Sequence, residues 1–366
     1  MHIGYAPLFQ NLGRPVPDHE VYRQELALAE LAEPLGFDSV WSVEHHFTDY
    51  TMCPDVTQFL SYMAGRTQHI SLGSMVIVLP WHDPVRVAEE VALLDNLSGG
   101  RMILGIGRGL GRVEFEGFRV PMDESRERFV ESAEMLLEGL EQGWVEYHGR
   151  YVEQPRRDVR PAPFKTFVGR TFAAAVSPES MPIMARLGVG LLVIPQKPWD
   201  VVKQDFESYH RAWAQENGAD TNPPAPMCGG FCFVDESADR AEEMAHRYIG
   251  AYYRSVIEHY EMTAGHFTGT KGYEFYGHVT AYIDRHGTSG AVDDFVSLMP
   301  WGTPSPVLDK IQHIHEMIGN QGLMGHFGYA GMPYDEAERN LRLFVSDVMP
   351  DARRIGAGSA LSSSIA

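Results

Sequence analysis

Residues 43–50, VEHHFTDY, place one glutamate and two adjacent histidines directly after the short apolar run WSV. A histidine side chain exchanges its proton near neutral pH, which suits it to acid–base chemistry. If the segment continues a β-strand, successive side chains point to opposite faces, so His45 and His46 cannot serve one site together. We expect one of them to do chemistry. A structural place in the core or at an interface is the alternative for either.

Two further stretches could bind an anion. GIGRGL, residues 105–110, places three glycines around Arg108, so that backbone N–H groups and a guanidinium could approach a ligand closely. VSPES, residues 176–180, adds two hydroxyls where a strand is expected to turn into a helix, and the free N–H groups there favour an anion. Arg108, Ser177 and Ser180 could therefore hold a phosphate. Alternatively, the glycines only permit tight packing and the serines only cap a helix.

No metal site is expected. His45 and His46 cannot chelate one ion from opposite faces of a strand, and no third histidine or carboxylate shows an obvious ligand spacing. Cys53, Cys228 and Cys232 leave one thiol unpaired in any pairing, which favours buried reduced thiols over a disulfide framework.

The composition argues against anionic partners such as nucleic acid or acidic membranes. Of the 366 residues, 44% are hydrophobic, and the formal net charge is -19. With no basic cluster longer than Arg156–Arg157, binding to nucleic acid or to an anionic membrane is disfavoured. The N-terminal MHIGYAPLFQ lacks the features of a signal peptide, and no apolar run approaches the roughly 18 residues of a membrane span. We therefore expect a cytoplasmic protein.

The elements that must position these residues alternate between short apolar runs typical of strands and stretches with helical periodicity. Helical periodicity begins at Asp18, Asp55 and Asp83–Pro84, and similar stretches separate the later apolar runs. Eight strands each followed by a helix predict a (β/α)8 TIM barrel, with a two-domain α/β protein as the alternative. The eight runs expected to form strands are HIGYAP, DSVWSVE, ISLGSMVIVLP, RMILGIGRG, TFVGRTFAAAVS, GLLVIP, APMCGGFCFV and LMGHFGYAG.

Residues 1–354 are expected to form this single barrel domain, with two additions. Residues 142–166 are rich in Pro and Gly and look like an insertion before the fifth strand. Residues 263–304 form a long Gly-, His- and aromatic-rich stretch before the last barrel repeat, and 263–290 is expected to be a mobile lid loop. Residues 355–366 are expected to be a disordered tail.

The predicted barrel provides a test of the candidate site residues that does not depend on any motif. In such a barrel, the C-terminal ends of the strands line the active site. The second strand ends in Glu44, His45 and His46, the fourth in GIGRGL and the fifth in AAVSPES. The polar residues therefore gather at the ends where chemistry is expected.

With these residues assembled, the sequence resembles the bacterial luciferase-like family of flavin-dependent monooxygenases, and luciferase α subunits in particular. The matching stretches span residues 40–350 and are VEHHFTDY, IVLPWHDPVRVAEEVALLDNLSGGR, GIGRGL, MDESR, TKGYEF and LFVSDVMP. The resemblance implies a two-component monooxygenase whose barrel binds reduced FMN, forms a C4a-hydroperoxyflavin with O2 and oxygenates an apolar organic substrate such as an aldehyde or ketone. It also implies a separate NAD(P)H:flavin reductase that supplies FMNH2 by diffusion. Luciferase α pairs with β through the segment similar to VAEEVALLDNLSGG, and for this chain we expect a homodimer through residues 84–97.

The resemblance also implies residue roles. His45 falls on the family's catalytic histidine and Arg108 on the arginine that holds the FMN phosphate, while Glu44 could orient a histidine. Met75–Val76 occupy the position of a non-prolyl cis peptide beneath the flavin ring. The remaining expected FMN contacts are Gly109, Leu110, Ala175, Val176, Ser177 and Ser180, and the substrate pocket is expected near Phe9, Trp81, Glu114, Tyr252 and Phe327, unless these aromatic residues belong to the core.

The sequence departs from the luciferase pattern around the substrate cavity. Gly107 stands where luciferase has a cysteine, Pro195 where it has a tryptophan, and Val176 and about Gly328 where it has acidic residues. The residues expected to contact FMN match the luciferase pattern more closely than those around the substrate cavity. Light emission and a long-chain aldehyde substrate therefore do not follow from the resemblance.

Two other functions fit the same barrel. A deazaflavin (F420)-dependent oxidoreductase would transfer hydride without O2, but this acidic chain offers few contacts for a long polyanionic tail. A non-catalytic flavin-binding subunit resembling luciferase β would lose the catalytic histidine, whereas His45 and Arg108 are both present.

Overall fold

The computed structural model describes residues 1–175 and 177–356. The strands in this part of the chain are β1 (His2–Tyr5), β2 (Ser39–Ser42), β3 (Ser71–Ser74), β4 (Ile77–Val78), β5 (Met102–Gly107), β6 (Trp144–His148), β7 (Glu153–Asp158), β8 (Thr171–Ala174), β9 (Gly190–Val193), β10 (Met227–Phe231), β11 (Phe233–Val234), β12 (Trp301–Gly302) and β13 (Gly322–His326).

The strands form a closed parallel barrel. The order around it is β3, β2, β1, β13, β10, β9, β8 and β5, and β5 pairs with β3 to close the ring. The short β4 continues the path of β3 and pairs with the end of β5. All eight predicted strand runs contribute a barrel strand, so the (β/α)8 prediction is confirmed.

Helices surround the barrel. Those in the described ranges are α1 (Asp18–Leu31), α2 (Val56–Arg66), α3 (Pro84–Ser98), α4 (Arg112–Phe118), α5 (Ser125–Gln142), α6 (Met181–Arg186), α7 (Trp199–Asn217), α8 (Ala238–His259), α9 (Glu274–Leu298), α10 (Pro304–Ile318), α11 (Tyr334–Asp347) and α12 (Met349–Ala352). None of them is long and apolar enough to cross a membrane.

Local sequence explains where the early helices begin. The Asp55 carboxylate accepts the N–H of Gln58 at the start of α2, and the Asp83 carboxylate accepts the N–H of Val85 at the start of α3. Such side chains satisfy amide groups that have no partner within the helix. Asp18 instead occupies the first position of α1, after Pro17.

Two glycines allow close packing inside the barrel. A Cβ atom on Gly73 would lie 2.3 Å from the Trp41 ring, and one on Gly105 would lie 1.9 Å from the Ser74 carbonyl oxygen. Neither position has room for a side chain. Part of the glycine pattern in GIGRGL is therefore a packing requirement, as the alternative interpretation of that motif proposed.

The two predicted additions are both present as segments outside the barrel strands. Residues 142–166 contain the antiparallel hairpin of β6 and β7. Residues 263–290 differ from the expected loop, because they contain a 3-10 turn at His266–Gly269 and most of α9, which is kinked at Gly287. The glycines within α9 hide this helix in the sequence, since glycine disfavours helix interiors by roughly 0.5–1 kcal/mol relative to alanine. The mobility of this segment stays a prediction.

The predicted C-terminal tail lies mostly beyond the described residues, whereas all three cysteines lie within them. Ile355 is buried and Gly356 is the last described residue, so residues 357–366 of the predicted tail lie outside the described residues. Cys53, Cys228 and Cys232 are all free and buried, as predicted.

Candidate active site

A cavity of about 200 Å³ opens at the C-terminal ends of the barrel strands, where the fold predicts a site. Its wall includes five of the residues predicted for catalysis or substrate binding, which come from four separate segments of the chain. They are Glu44, His45, Trp81, Glu114 and Tyr252. The fold therefore brings together residues that are far apart in the sequence.

His45 is held by a buried carboxylate. Its Nδ1 atom lies 2.9 Å from Oε1 of Glu114, and the same oxygen accepts the backbone N–H of His46 at 2.9 Å. Nε2 of His45 lies 3.4 Å from the hydroxyl of Tyr260 on the cavity wall. The carboxylate thus fixes the orientation of the imidazole and leaves its second nitrogen for the cavity.

The charge of Glu114 determines the tautomer of His45. Burial opposes ionisation of Glu114, but the charge and hydrogen bond of His45 and the proximity of His259 outweigh it and lower its pKa to about 2. An ionised carboxylate can only accept hydrogen bonds. Nδ1 of His45 therefore carries a proton, and in the neutral ring Nε2 is the atom that can accept one.

Glu44 binds two other histidines. Its Oε1 atom lies 2.9 Å from Nε2 of His46 and 2.6 Å from Nε2 of His82, and its Oε2 accepts the backbone N–H of Val78 at 2.8 Å. Burial opposes its ionisation, but these hydrogen bonds lower the pKa of Glu44. Glu44 therefore orients His46 and His82, whereas His45 is oriented by Glu114.

The two adjacent histidines do point in different directions. The His46 ring packs edge-on against Phe118, with 4.6 Å between ring centroids, and against Trp81 at 5.5 Å. His45 instead packs edge-on against Tyr50 at 4.9 Å. β2 ends at Ser42, before both histidines, so the strand expected to separate them does not extend this far, but their side chains do have different surroundings.

The expected phosphate-binding residues line the same cavity. The hydroxyls of Ser177 and Ser180 lie 2.9 Å apart, and Arg108 extends to the carbonyl of Gly272 at 2.6 Å. A second guanidinium, that of Arg126, lies 3.1 Å from the same carbonyl. Two cations and two hydroxyls in the lining of one cavity are a suitable donor set for a phosphate group. Val176 lies outside the described residues, and Ala175 is buried beside this cavity, facing a smaller one.

The expected flavin platform has the predicted backbone. The Met75–Val76 peptide bond is cis, and both residues line the cavity together with Gly109 and Leu110. A Cβ atom on Gly107 would lie 2.3 Å from Cγ2 of Val76, so β5 carries no side chain where it passes this residue. The floor of the cavity is therefore made of backbone and small groups, which suits a flat ring.

The remaining wall is aromatic. Tyr252, Tyr260 and Tyr276 line it, and the hydroxyl of Tyr50 lies 3.0 Å from that of Tyr252. Burial raises the pKa of Tyr252 to about 12, so its hydroxyl stays protonated at neutral pH.

Phe9 and Phe327, expected in the substrate pocket, are not brought to this cavity. Phe9 packs against Tyr22 and Phe59, and Phe327 against Phe344 of α11. Both side chains are therefore core residues, the alternative that the sequence left open.

Several residues in the cavity wall or directly behind it were missed by sequence reasoning. Arg126 ends the matching stretch MDESR, and that position was the available signal for it. His259 and Tyr260 follow one another at the end of α8, and Nε2 of His259 lies 3.7 Å from Oε2 of Glu114. No local pattern marks them, because Tyr260 meets His45 across 215 positions of the chain.

The chain matches the sequence profile of the family described as luciferase-like monooxygenase over residues 1–321. It is 28% identical over 334 residues to an alkanal monooxygenase alpha chain of Photorhabdus luminescens, and the match covers 90% of this chain and 92% of that protein.

Solved structures share the whole fold. Monooxygenase RslO1 from Streptomyces bottropensis has a TM-score of 0.80 at 25% identity and covers 96% of this chain and 99% of its own. The oxygenating constituent of 3,6-diketocamphane monooxygenase from Pseudomonas putida, a type II Baeyer-Villiger monooxygenase in complex with FMN, has a TM-score of 0.73 at 18% identity, with coverages of 96% and 98%. An F420-dependent secondary alcohol dehydrogenase shares the fold at a TM-score of 0.70 and 16% identity, with coverages of 96% and 99%. The match over residues 1–321 shows that this chain belongs to the luciferase-like monooxygenase family.

Proposed function

We propose that the protein is the oxygenating component of a two-component flavin-dependent monooxygenase. It receives FMNH2 from a separate NAD(P)H:flavin reductase and uses O2 to oxygenate an apolar organic substrate. The observation that carries this proposal is the pairing of His45 with the buried carboxylate of Glu114 in the cavity that also contains Arg108 and the two serines.

The donor set fits the phosphate of FMN. Arg108 and Arg126 are the two Lys or Arg side chains among the described residues that line the cavity, and Ser177 and Ser180 add hydroxyl donors. One phosphate monoester carries about two negative charges at neutral pH, which two guanidinium groups balance. A longer polyanionic tail, such as that of F420, would need more cationic side chains than this cavity provides.

His45 is the residue proposed to handle a proton. Because Glu114 fixes the proton on Nδ1, Nε2 is free to accept a proton from the cavity and to return it. Reduced flavin, when bound, supplies the electrons that activate O2. The tyrosine wall excludes water, which would otherwise favour loss of H2O2 over oxygen transfer.

The small volume of the cavity requires an opening movement. Its volume of about 200 Å³ is smaller than the roughly 300–1,000 Å³ of typical ligand sites, so flavin and substrate cannot enter together without a rearrangement. The carbonyl of Gly272 accepts hydrogen bonds from Arg108 and Arg126, two residues of the cavity lining. A bound phosphate would compete for these same guanidinium donors. We therefore place the moving lid in residues 263–290.

The cavity chemistry indicates the substrate class. The wall is largely apolar and aromatic, but the hydroxyls of Tyr50, Tyr252 and Tyr260 lie within it. Such a wall suits an apolar molecule with one polar oxygen. An aldehyde or a ketone has this composition.

A homodimer is also proposed. Leu93 and Leu97 lie one turn apart on α3 and are 48% and 60% exposed, and Tyr62 on the contacting helix α2 is 43% exposed. Exposed apolar side chains on adjacent helices favour burial against another surface.

The test of the proposed function begins with anaerobic titration of the protein with FMNH2. The loaded protein is then mixed with O2 and a panel of aldehydes and ketones, and product and H2O2 are quantified. Saturable binding of one FMNH2 per chain and an oxygenated product formed in place of H2O2 are expected. Binding without any product, together with substrate oxidation by F420, would favour the hydride-transfer alternative. Binding with neither reaction would favour a non-catalytic subunit.

A further inference from the structure

Two buried polar atoms face each other behind His45. Oε2 of Glu114 and Nε2 of His259 lie 3.7 Å apart, and their side chains are 0% and 1% exposed. Neither atom has a hydrogen-bond partner in the described part of the chain. The separation exceeds the roughly 2.7–3.2 Å of an N–H···O hydrogen bond. Because buried polar atoms are normally satisfied, this gap requires an explanation.

A metal ion would fill the gap. One nitrogen of His45, one oxygen of Glu114 and one nitrogen of His259 lie within 4.8 Å of one another. In a tetrahedral zinc site with bonds of about 2.0–2.2 Å, neighbouring ligand atoms are roughly 3.3–3.6 Å apart. The spacing between His259 and Glu114 is close to this value. His45 has the most exposed side chain of the three, at 14%, and would move inward to complete the site.

Surrounding contacts already orient the proposed ligands. Nδ1 of His259 lies 3.1 Å from the hydroxyl of Thr48, and its ring stacks on Tyr50 with 4.3 Å between centroids. Oε1 of Glu114 is held by the backbone N–H of His46. Hydrogen bonds to the outer atoms of ligands are typical of metal sites, because they fix the ring orientation and the carboxylate. Tyr260, the next residue in the chain after His259, lines the cavity.

We propose that His45, Glu114 and His259 bind one late first-row divalent cation, with Zn²⁺ as the probe ion. Two imidazole nitrogens and one carboxylate oxygen are donors that such ions prefer, and two of the three ligands, His45 and Glu114, line the cavity. This reverses the expectation from sequence, which found no third ligand because His259 is distant in the chain. An ion here also removes His45 from proton handling and inhibits turnover. The inhibition rests on the proposed function, whereas the binding does not.

The first test is calorimetric titration of metal-free protein with Zn²⁺, without flavin. Wild type is expected to bind one ion at this site, and His259→Gln is expected to lose about 100-fold or more in affinity, because one of three ligands is gone. The control is His19→Ala, which removes one of the 16 histidines from an exposed position. It is expected to match wild type. Equal zinc affinity in His259→Gln and wild type would overturn the proposal.

A second measurement needs no variant, in case His259→Gln does not fold. X-ray absorption of the wild-type zinc complex reports the imidazoles bound to the ion, and two are expected. Fewer than two would place the ion elsewhere and overturn the site. The inhibitory part is tested separately by adding Zn²⁺ to turnover assays. Full turnover at saturating zinc would overturn the inhibition alone.

Discussion

Glu114 Oε1 lies 2.9 Å from Nδ1 of His45, although the two residues are 69 positions apart. This buried carboxylate is the counter-charge for any positive charge that the imidazole acquires. The neighbour in sequence, Glu44, is committed to His46 and His82. The residue that orients His45 therefore lies on α4, which follows the GIGRGL motif in the sequence.

Glu114→Gln should lower the coupling of flavin oxidation to product formation. The amide removes the negative charge beside His45, so a protonated imidazole is no longer stabilised. General acid–base groups contribute roughly 10²–10⁴-fold to rates, and we expect about 10-fold loss of coupling here and a larger loss in His45→Ala. Product and H2O2 per FMNH2 are measured. Glu116→Gln, an exposed position on the same helix, is the control. Undiminished coupling in both site variants would remove this pair from the mechanism.

Arg108→Ala should weaken FMNH2 binding much more than binding of reduced riboflavin, which lacks the phosphate. A hydrogen bond to a charged group contributes about 1.5–3 kcal/mol, which corresponds to roughly 10- to 100-fold in affinity. Anaerobic fluorescence titration of both ligands measures the difference. Arg112→Ala, whose partner is Glu261 outside the phosphate wall, is the control and should bind both ligands as wild type does. Equal losses for the two ligands in Arg108→Ala would show that this arginine does not hold the phosphate.

Tyr273→Phe should loosen the lid. The Tyr273 hydroxyl lies 2.9 Å from the Gly109 carbonyl and 2.9 Å from the hydroxyl of Ser125, so it ties the lid to the cavity. Losing these bonds should reduce hydrogen-exchange protection of residues 263–290 by about 10-fold, on the basis of roughly 0.5–1.5 kcal/mol for each bond. Tyr282→Phe removes an exposed hydroxyl that contacts Asp294 and is the matched control. If protection were unchanged in Tyr273→Phe, this residue would not hold the lid.

Leu97→Asp should dissociate the proposed homodimer. A charge at the centre of an apolar contact loses its hydration without gaining a partner, which is strongly unfavourable. Sedimentation velocity at matched concentrations is expected to show a dimer for wild type and a monomer for the variant. Val168→Asp places the same charge on another exposed apolar residue, 74% exposed, and should leave the mass unchanged. A monomeric wild type would contradict the proposal directly.

Glu25→Gln should make the protein less sensitive to alkaline pH. Burial raises the pKa of Glu25 to about 8, with hydrogen bonds to Leu8 and Tyr334 only partly opposing it. Its proton is therefore retained in the folded protein but released in the unfolded chain above about pH 4.5, so this group destabilises the fold as pH rises from about 4.5 to 8. Denaturant unfolding at pH 5 and pH 8 should show a decrease smaller by on the order of 3 kcal/mol in Glu25→Gln than in wild type. Identical decreases would show that Glu25 does not carry the proton.

The barrel was predictable because its signal is local. Each strand is a short apolar run, and α2 and α3 each begin at a capping aspartate, so neighbouring residues suffice to recognise them. The site was predictable at His45, Arg108, Ser177 and Ser180, because strand ends converge in this fold. Glu114 was correctly placed at the cavity, but its contact with His45 depends on the angle of α4, which no local pattern encodes.

Two other features required the three-dimensional structure. α9 contains glycines that weaken its helical pattern. Its helical conformation therefore depends on packing against α8 more than on the intrinsic helix propensity of its residues. Arg126 at the cavity and His259 behind His45 lie on helices whose rotation about their axes is set by tertiary packing. Sequence reasoning therefore found the strand-end residues and two residues on helices, Glu114 and Tyr252, but missed Arg126 and His259.

The contact between Gly107 and Val76 limits how the cavity floor can be redesigned. Because a Cβ atom at position 107 would lie 2.3 Å from Cγ2 of Val76, the two positions share one volume. Installing the cysteine found at this position in luciferases would need a smaller residue at position 76 in the same step. Engineering toward the luciferase pattern is therefore a paired exchange, and libraries that vary either position alone would discard the productive combinations.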